Sequence, residues 1–193
     1  MNLNSKSVQI HRILASRRSP ISFSNRKVHP EHIASLFEAA RWAPSSFNEQ
    51  PWRFIFATRE NIPHFNRMLD CLVEENRVWA KNAYMLVLSV ARMNLTRNDK
   101  PNRYAFHDVG LSVGNLLAQA TLMGLMVHQM GGYSLEKTRN ALSIPDGFEP
   151  VAMIAIGYPG NVEDLPEDLR KRELQPRVRR DLIETVFENS WID

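Results

Sequence analysis

The stretch "APSSFNEQPW", residues 43–52, sets Ser45, Ser46, Asn48 and Gln50 between Pro44 and Pro51. Asn and Gln side chains each carry a donor and an acceptor, and a serine hydroxyl serves as either. Proline on both sides limits the loop's freedom, so less entropy is lost when a ligand docks on it. A second group of residues is cationic. Arg17 and Arg18 precede Ser19, and near the other end "QPRVRRDL" holds Arg177, Arg179 and Arg180. The planar guanidinium fork binds two phosphate oxygens at once, so an anion site is one reading of these arginines. The other is solvated surface, because the six basic residues of 161–181 are balanced by six acidic ones.

Other chemistries find no support. There is neither a GxGxxG nor a Walker A sequence, so a Rossmann or P-loop reading fails. The six histidines show no HExxH or similar ligand spacing, and no metal site is expected. His107 beside Asp108 imitates part of a triad, but no GxSxG elbow supplies a nucleophile. Cys71 lies in a helical pattern and reads as a small core residue.

The elements that must position these groups follow from periodicity. Residues 6–16 read as a helix that stops before Pro20, and Glu31–Trp42 as a second that ends before Pro44. Residues 61–80 read as one helix, with Pro63 in its first turn. Strands are expected at 54–58, 84–90 and 151–158, with "LMVHQM" a further strand. Residues 91–103 form a polar connection. Residues 104–125 make the most informative helix: Asp108, Ser112, Asn115 and Gln119 form one polar stripe on an otherwise apolar, slim cylinder. Such a helix is either central to the fold or shared with a second subunit.

Bulk properties fit this picture. A chain of 193 residues with 44% hydrophobic and 23% charged residues is that of a soluble globular protein, read as one domain over 1–193. The net charge is only +3, which is no polyelectrolyte. A lone cysteine excludes an intrachain disulfide framework and fits a reducing compartment. The N-terminal residues lack a signal-peptide core and no run spans a membrane, so a cytoplasmic location is expected.

Four blocks, "SRRSPISF", "AARWAPSSFNEQPWRFIF", "DVGLSVGNLLAQATLMGLMVHQMGGYS" and "LSIPDGFEPVAMIAIGYPG", together resemble the FMN-dependent nitroreductase family in that family's order. The likeness runs from about residue 10 to residue 183, and the Ala-Pro-Ser-Ser-x-Asn-x-Gln-Pro-Trp block is its most specific part. The resemblance implies an α+β fold of three layers, with a central mixed, mostly antiparallel sheet flanked by helices, in an intertwined homodimer. It implies flavin sites at the subunit interface and a C-terminal segment, about 160–193, that crosses to the partner. Pro44, Ser45, Ser46, Asn48 and Gln50 would contact flavin or ribityl, and Arg17, Arg18 and Ser19 phosphate and ribityl. Arg177 and Arg179 would close on the phosphate, with Arg17 and Arg179 coming from one subunit or from two. Met130, Gly131 and Gly132 would bring backbone against the ring, the glycines because they lack side chains and tolerate positive φ; the residues alone allow a simple turn there.

The activity implied is transfer of two electrons from NADH or NADPH through FMN to a nitroaromatic, quinone or similar small acceptor, by a ping-pong mechanism with no catalytic side chain. The alternative is a flavin-binding protein on the same fold without NAD(P)H turnover. A nucleic-acid module using Arg170 to Arg180 is a third reading, opposed by its acidic neighbours and the absence of a recognition motif. Phe65, Trp79, Tyr84, Tyr104 and Phe106 are candidates either for the substrate pocket or for packing. One departure stands out: family members often carry Arg or Lys two residues after the RRS serine, where this chain has Ile21. Either Arg18, Arg26 or Lys27 substitutes, or reduced flavin is less stabilised, and Ile21→Arg is then expected to raise the flavin potential.

Overall fold

The computed structural model describes residues 8–191. Its sheet holds β1 (Trp52–Thr58), β2 (Met85–Arg92), β3 (Met126–Met130) and β4 (Phe148–Gly157) in the order β1-β2-β4-β3. Seven helices accompany it: α1 (Arg12–Ser16), α2 (Pro30–Arg41), α3 (Ile62–Leu69), α4 (Glu74–Ala80), α5 (Ala105–Leu122), α6 (Leu135–Leu142) and α7 (Glu167–Glu173). All three strand pairings are antiparallel, so the expected mixed sheet is not found among the described residues. A pair of short helices, not a single crossover helix, joins β1 to its neighbour β2, so no parallel βαβ unit forms there.

The central strand β2 is buried along almost its whole length, because layers cover both faces of the sheet. Its alternate residues Met85, Val87 and Ala91 join Ile154 and Ile156 of β4 beneath Leu36 and Ala40 of α2 and Val109, Val113 and Leu116 of α5. Leu86, Leu88 and Val90, with Met153 and Ala155, meet Phe65, Met68 and Trp79 on the opposite face. The period of two thus separates two apolar layers.

The boundaries have local causes. The α2 helix begins with Pro30 at its first position, behind a His29 cap whose side chain accepts the Glu31 N–H. The α5 helix stops short of Gly124, whose φ of +70° is open to glycine, and the Leu125 N–H returns to the Ala120 carbonyl at 2.8 Å. The expected first helix is confined to Arg12–Ser16, with residues 6 and 7 outside the described part of the chain.

The single helix expected over 61–80 is two, α3 and α4, interrupted at 70–73. There the backbone turns outward to bond residues 132–134: the Val73 N–H donates to the Gly132 carbonyl at 3.1 Å and the Ser134 N–H to the Cys71 carbonyl at 2.8 Å. The α6 helix has no counterpart in the sequence expectations. Its Ser134 cap accepts the Lys137 N–H and its end is a left-handed Ser143. No helix among the described residues is long and apolar enough to cross a membrane.

Candidate functional site

The two terminal sets of arginines meet. Arg17, Arg18, Ser19, Arg172, Gln175, Arg177 and Arg179 line one cavity of about 260 Å³. It lies outside β3, an edge strand, where the Pro20 carbonyl is 2.9 Å from His128 Nδ1. The C-terminal segment is fastened there by several bonds. Arg177 donates to the carbonyl oxygens of Arg17 and Ala15. Arg18 Nη2 donates to the Glu173 carbonyl at 3.0 Å, and the Glu173 carboxylate accepts the Ile21 N–H at 2.7 Å. Burial, and then the neighbouring Arg177 and Arg179, push the Arg17 guanidinium below its ordinary pKa. Cations gathered this closely favour an anion among them. Arg17 and Arg179 both line this cavity within one chain.

The amide-rich loop is a second unit. Phe47, Asn48 and Gln50 all have positive φ, near +50°, within and just after the short 3₁₀ turn Ser46–Asn48. For residues with a Cβ this conformation is unfavourable and persists only when neighbours hold it. The holding bonds are visible. Ser45 Oγ accepts the Gln50 N–H at 3.0 Å, and the buried Asp108 of α5 accepts the Ser46 N–H at 2.9 Å. Glu49 accepts the Thr96 N–H at 2.7 Å, and the Arg97 guanidinium stands 4.1 Å over the Phe47 ring. Pro44 and Asn48 are exposed and Ser45, Ser46 and Gln50 half-buried, so the array faces outward. The rest of the α5 polar stripe holds α2, the helix that leads into this loop: Ser112 Oγ donates to the Ala40 carbonyl and Gln119 Nε2 to Ser35 Oγ, both at 2.9 Å.

Within one chain no residue of the loop lines the arginine cavity. The loop leads into β1 and the arginine cavity flanks β3, the opposite edge strands of the sheet. Three strand spacings separate those edges by about 14 Å. Met130, at the end of β3, is buried in the core, whereas Gly131 is exposed.

The two glycines differ from the expectation and from each other. Neither has positive φ. A Cβ on Gly131 would meet open space, but one on Gly132 would lie 2.7 Å from Asn76 Nδ2 and 2.9 Å from Val73 Cγ2. Gly132 therefore serves close packing against α4, while Gly131 leaves its backbone accessible.

Ile21 faces the core. Its side chain is 2% exposed and belongs to the core layer that includes Phe23, Trp79 and Leu86. The position carries packing. Of the proposed substitutes, Arg26 lies 3.8 Å over the Tyr158 ring and Lys27 pairs with Glu60, so only Arg18 lines the cavity. Among the aromatic candidates, Phe65, Trp79 and Tyr84 are buried packing, while Tyr104 and Phe106 are exposed at the start of α5, beside the amide loop. Sequence reasoning missed Arg172 and Gln175, hidden in a charge-balanced run, and His128. It marked Asp108 only as the start of a stripe.

Comparison with known proteins bears on the same residues. A model of the Nitroreductase family matches 14–86 and 72–158, three quarters of the chain. A solved oxidoreductase structure containing FMN superposes with a TM-score of 0.91 at 33% identity, covering 97% of this chain and 96% of the other. A putative NADH dehydrogenase/NAD(P)H nitroreductase of Archaeoglobus fulgidus is 27% identical over 81% of this chain and 88% of its own length. The iodotyrosine deiodinase of Haliscomenobacter hydrossis is 24% identical over 86% of each. The match spans both the Arg-Arg-Ser segment and the amide loop, and by it this chain is a member of the nitroreductase family of oxidoreductases.

Proposed function

We propose that this protein is an FMN-dependent oxidoreductase that moves two electrons from NADH or NADPH to an electron-poor small molecule, as a homodimer. The observation that carries the reading is the cavity of about 260 Å³ lined by Arg17, Arg18, Ser19, Arg172, Gln175, Arg177 and Arg179. Its size and donors fit a terminal phosphate. The accessible backbone at Gly131 fits a flat ring lying against it, and Asn48 and Gln50 supply uncharged donors and acceptors for a heteroaromatic edge.

FMN, when bound, supplies the two-electron chemistry. The chain's own residues do the rest. The arginines neutralise and orient the phosphate. Arg18, which lines the cavity, adds positive charge to the site. Ser45, Ser46, Asn48 and Gln50 hold the ring edge without adding a charge that would favour one oxidation state. NADH or NADPH leaves before the acceptor enters the same face, a ping-pong order.

The separation of the two units on opposite sheet edges supports the dimer. In this reading the amide loop of one subunit stands beside the arginine cavity of the other. Exposed apolar residues near the loop and along α1 and α5, among them Leu14, Trp42, Phe106, Leu111 and Leu122, fit a surface that a second copy covers. Beyond Arg179 the chain exposes Leu182, Ile183 and Val186, which we assign to the partner's surface. Likeness to an iodotyrosine deiodinase adds aryl halides to nitroaromatics and quinones as acceptors to assay.

The test is an anaerobic titration of the purified protein with NADH and NADPH, followed by flavin absorbance. Bleaching by either donor is the expected result. A flavin spectrum that neither donor bleaches would favour a flavin-binding protein without turnover, and a protein that takes up no FMN would end the proposal.

A further inference from the structure

The five guanidinium groups at the cavity are not equivalent. Arg177 turns its two terminal nitrogens back onto the carbonyl oxygens of Arg17 and Ala15. Arg179 Nη1 donates to the Val178 carbonyl at 2.8 Å, Arg18 Nη2 to the Glu173 carbonyl at 3.0 Å and Arg17 Nη1 to Ser19 Oγ at 3.1 Å. Each of these four has donors committed to the protein. The guanidinium of Arg172, on α7, has no hydrogen bond or ion pair among the described residues. It forms no ion pair with its neighbour Glu173, whose carboxylate accepts the Ile21 N–H at 2.7 Å instead. The family model ends at residue 158, so α7 and its arginine lie beyond the matched stretch.

We propose that Arg172 is a phosphate-binding residue of this site and that Arg177 is a strut that fastens the C-terminal segment to residues 15–17. The inference rests on the flavin reading above and assigns the determinant that distinguishes a phosphorylated flavin from an unphosphorylated one. An uncommitted guanidinium fork binds two oxygens of a phosphomonoester without first breaking a bond to the protein. Arg177 would have to release two carbonyl oxygens to do the same. The like charges crowded at the cavity, which already depress the Arg17 pKa, give the dianion a further advantage over neutral riboflavin.

The experiment titrates the full chain, dialysed free of flavin, with FMN and with riboflavin by fluorescence quenching at low and high salt, and records the unliganded melting temperature. Arg172→Gln is expected to weaken FMN by about tenfold or more, the loss of one charge-assisted pair. It should leave riboflavin affinity unchanged, reduce the salt dependence of FMN binding and keep the unliganded melting temperature. Arg177→Gln should lower that temperature and expose 174–191 to protease.

Wild-type FMN affinity in Arg172→Gln, or equal losses for FMN and riboflavin, would overturn the proposal. Should that variant fail to fold, Arg172→Lys keeps the charge and loses the fork. It must weaken FMN selectively, and unchanged FMN affinity would overturn the proposal as well. A wild-type protein that binds neither flavin overturns the functional reading and this inference together. One that binds FMN while Arg172→Gln makes no difference overturns this inference alone.

Discussion

The Asp108 carboxylate accepts the Ser46 N–H at 2.9 Å, so a buried acid in the first turn of α5 holds the loop whose amides face outward. Its other oxygen is 2.9 Å from His107 Nδ1, on an exposed ring. Asp108→Ala would leave a half-buried N–H without its acceptor, a loss of about 1–3 kcal/mol. Asp108→Asn keeps an acceptor oxygen and should fall between. The expected order in chemical denaturation is wild type above Asp108→Asn above Asp108→Ala, with FMN affinity falling in the same order. Equal FMN affinity in all three would separate the loop's geometry from binding.

The paired glycines predict opposite phenotypes. Gly132→Ala drives a methyl group into Asn76 and Val73, and overpacking of this kind destabilises by about 1–3 kcal/mol. Gly131→Ala meets open space and should keep wild-type stability while weakening FMN. Differential scanning calorimetry and a flavin titration on both variants test the pair.

His128 makes stability depend on pH. Burial comes first among the causes that hold its pKa below 6.5, and the charges of Arg172 and Arg17 add to it, while bonds to the Pro20 and Ser19 backbone oppose. The folded protein therefore prefers the neutral ring. Its contribution to stability is present above the unfolded pKa and is lost as pH falls from about 6.5 through the lower, folded value. Urea midpoints measured downward from pH 7 should decline, and the decline should be shallower in His128→Gln. Glu38, held at about 2 by Arg41 and Trp42, titrates in a separate, more acidic range.

Ile21→Arg should damage the fold. The side chain is 2% exposed beside Phe23 and Trp79, and an unpaired charge there costs several kcal/mol unless the backbone moves. Soluble yield and melting temperature are expected to drop sharply. A stable Ile21→Arg protein with a raised flavin potential would restore the position to the flavin's edge.

The fold was legible where one periodicity was undisturbed. The apolar run of β2 and the slim α5 with its polar stripe could each be read from spacing, because burial on two faces and on most of a cylinder leave distinct patterns. The break between α3 and α4 was not legible, since Phe65, Met68 and Trp79 keep a helical rhythm across it and the cause, pairing with residues 132–134, is 60 residues away. The same limit applied to the site. Arg17 and Arg177 looked like anion ligands by type, but only tertiary structure distinguishes a fork that faces a cavity from one folded back on carbonyl oxygens. The burial of Ile21 was likewise not legible, because spacing alone does not give a side chain's direction.

The placement of the amide loop and the arginine cavity on opposite sheet edges has a genetic consequence in the proposed homodimer. A lesion confined to the loop and a lesion confined to the arginines each abolish both sites of a pure dimer. In a mixed dimer the two lesions fall together on one site and spare the other. Two inactive alleles expressed in one cell should therefore complement each other, whereas two alleles damaged in the same unit should not.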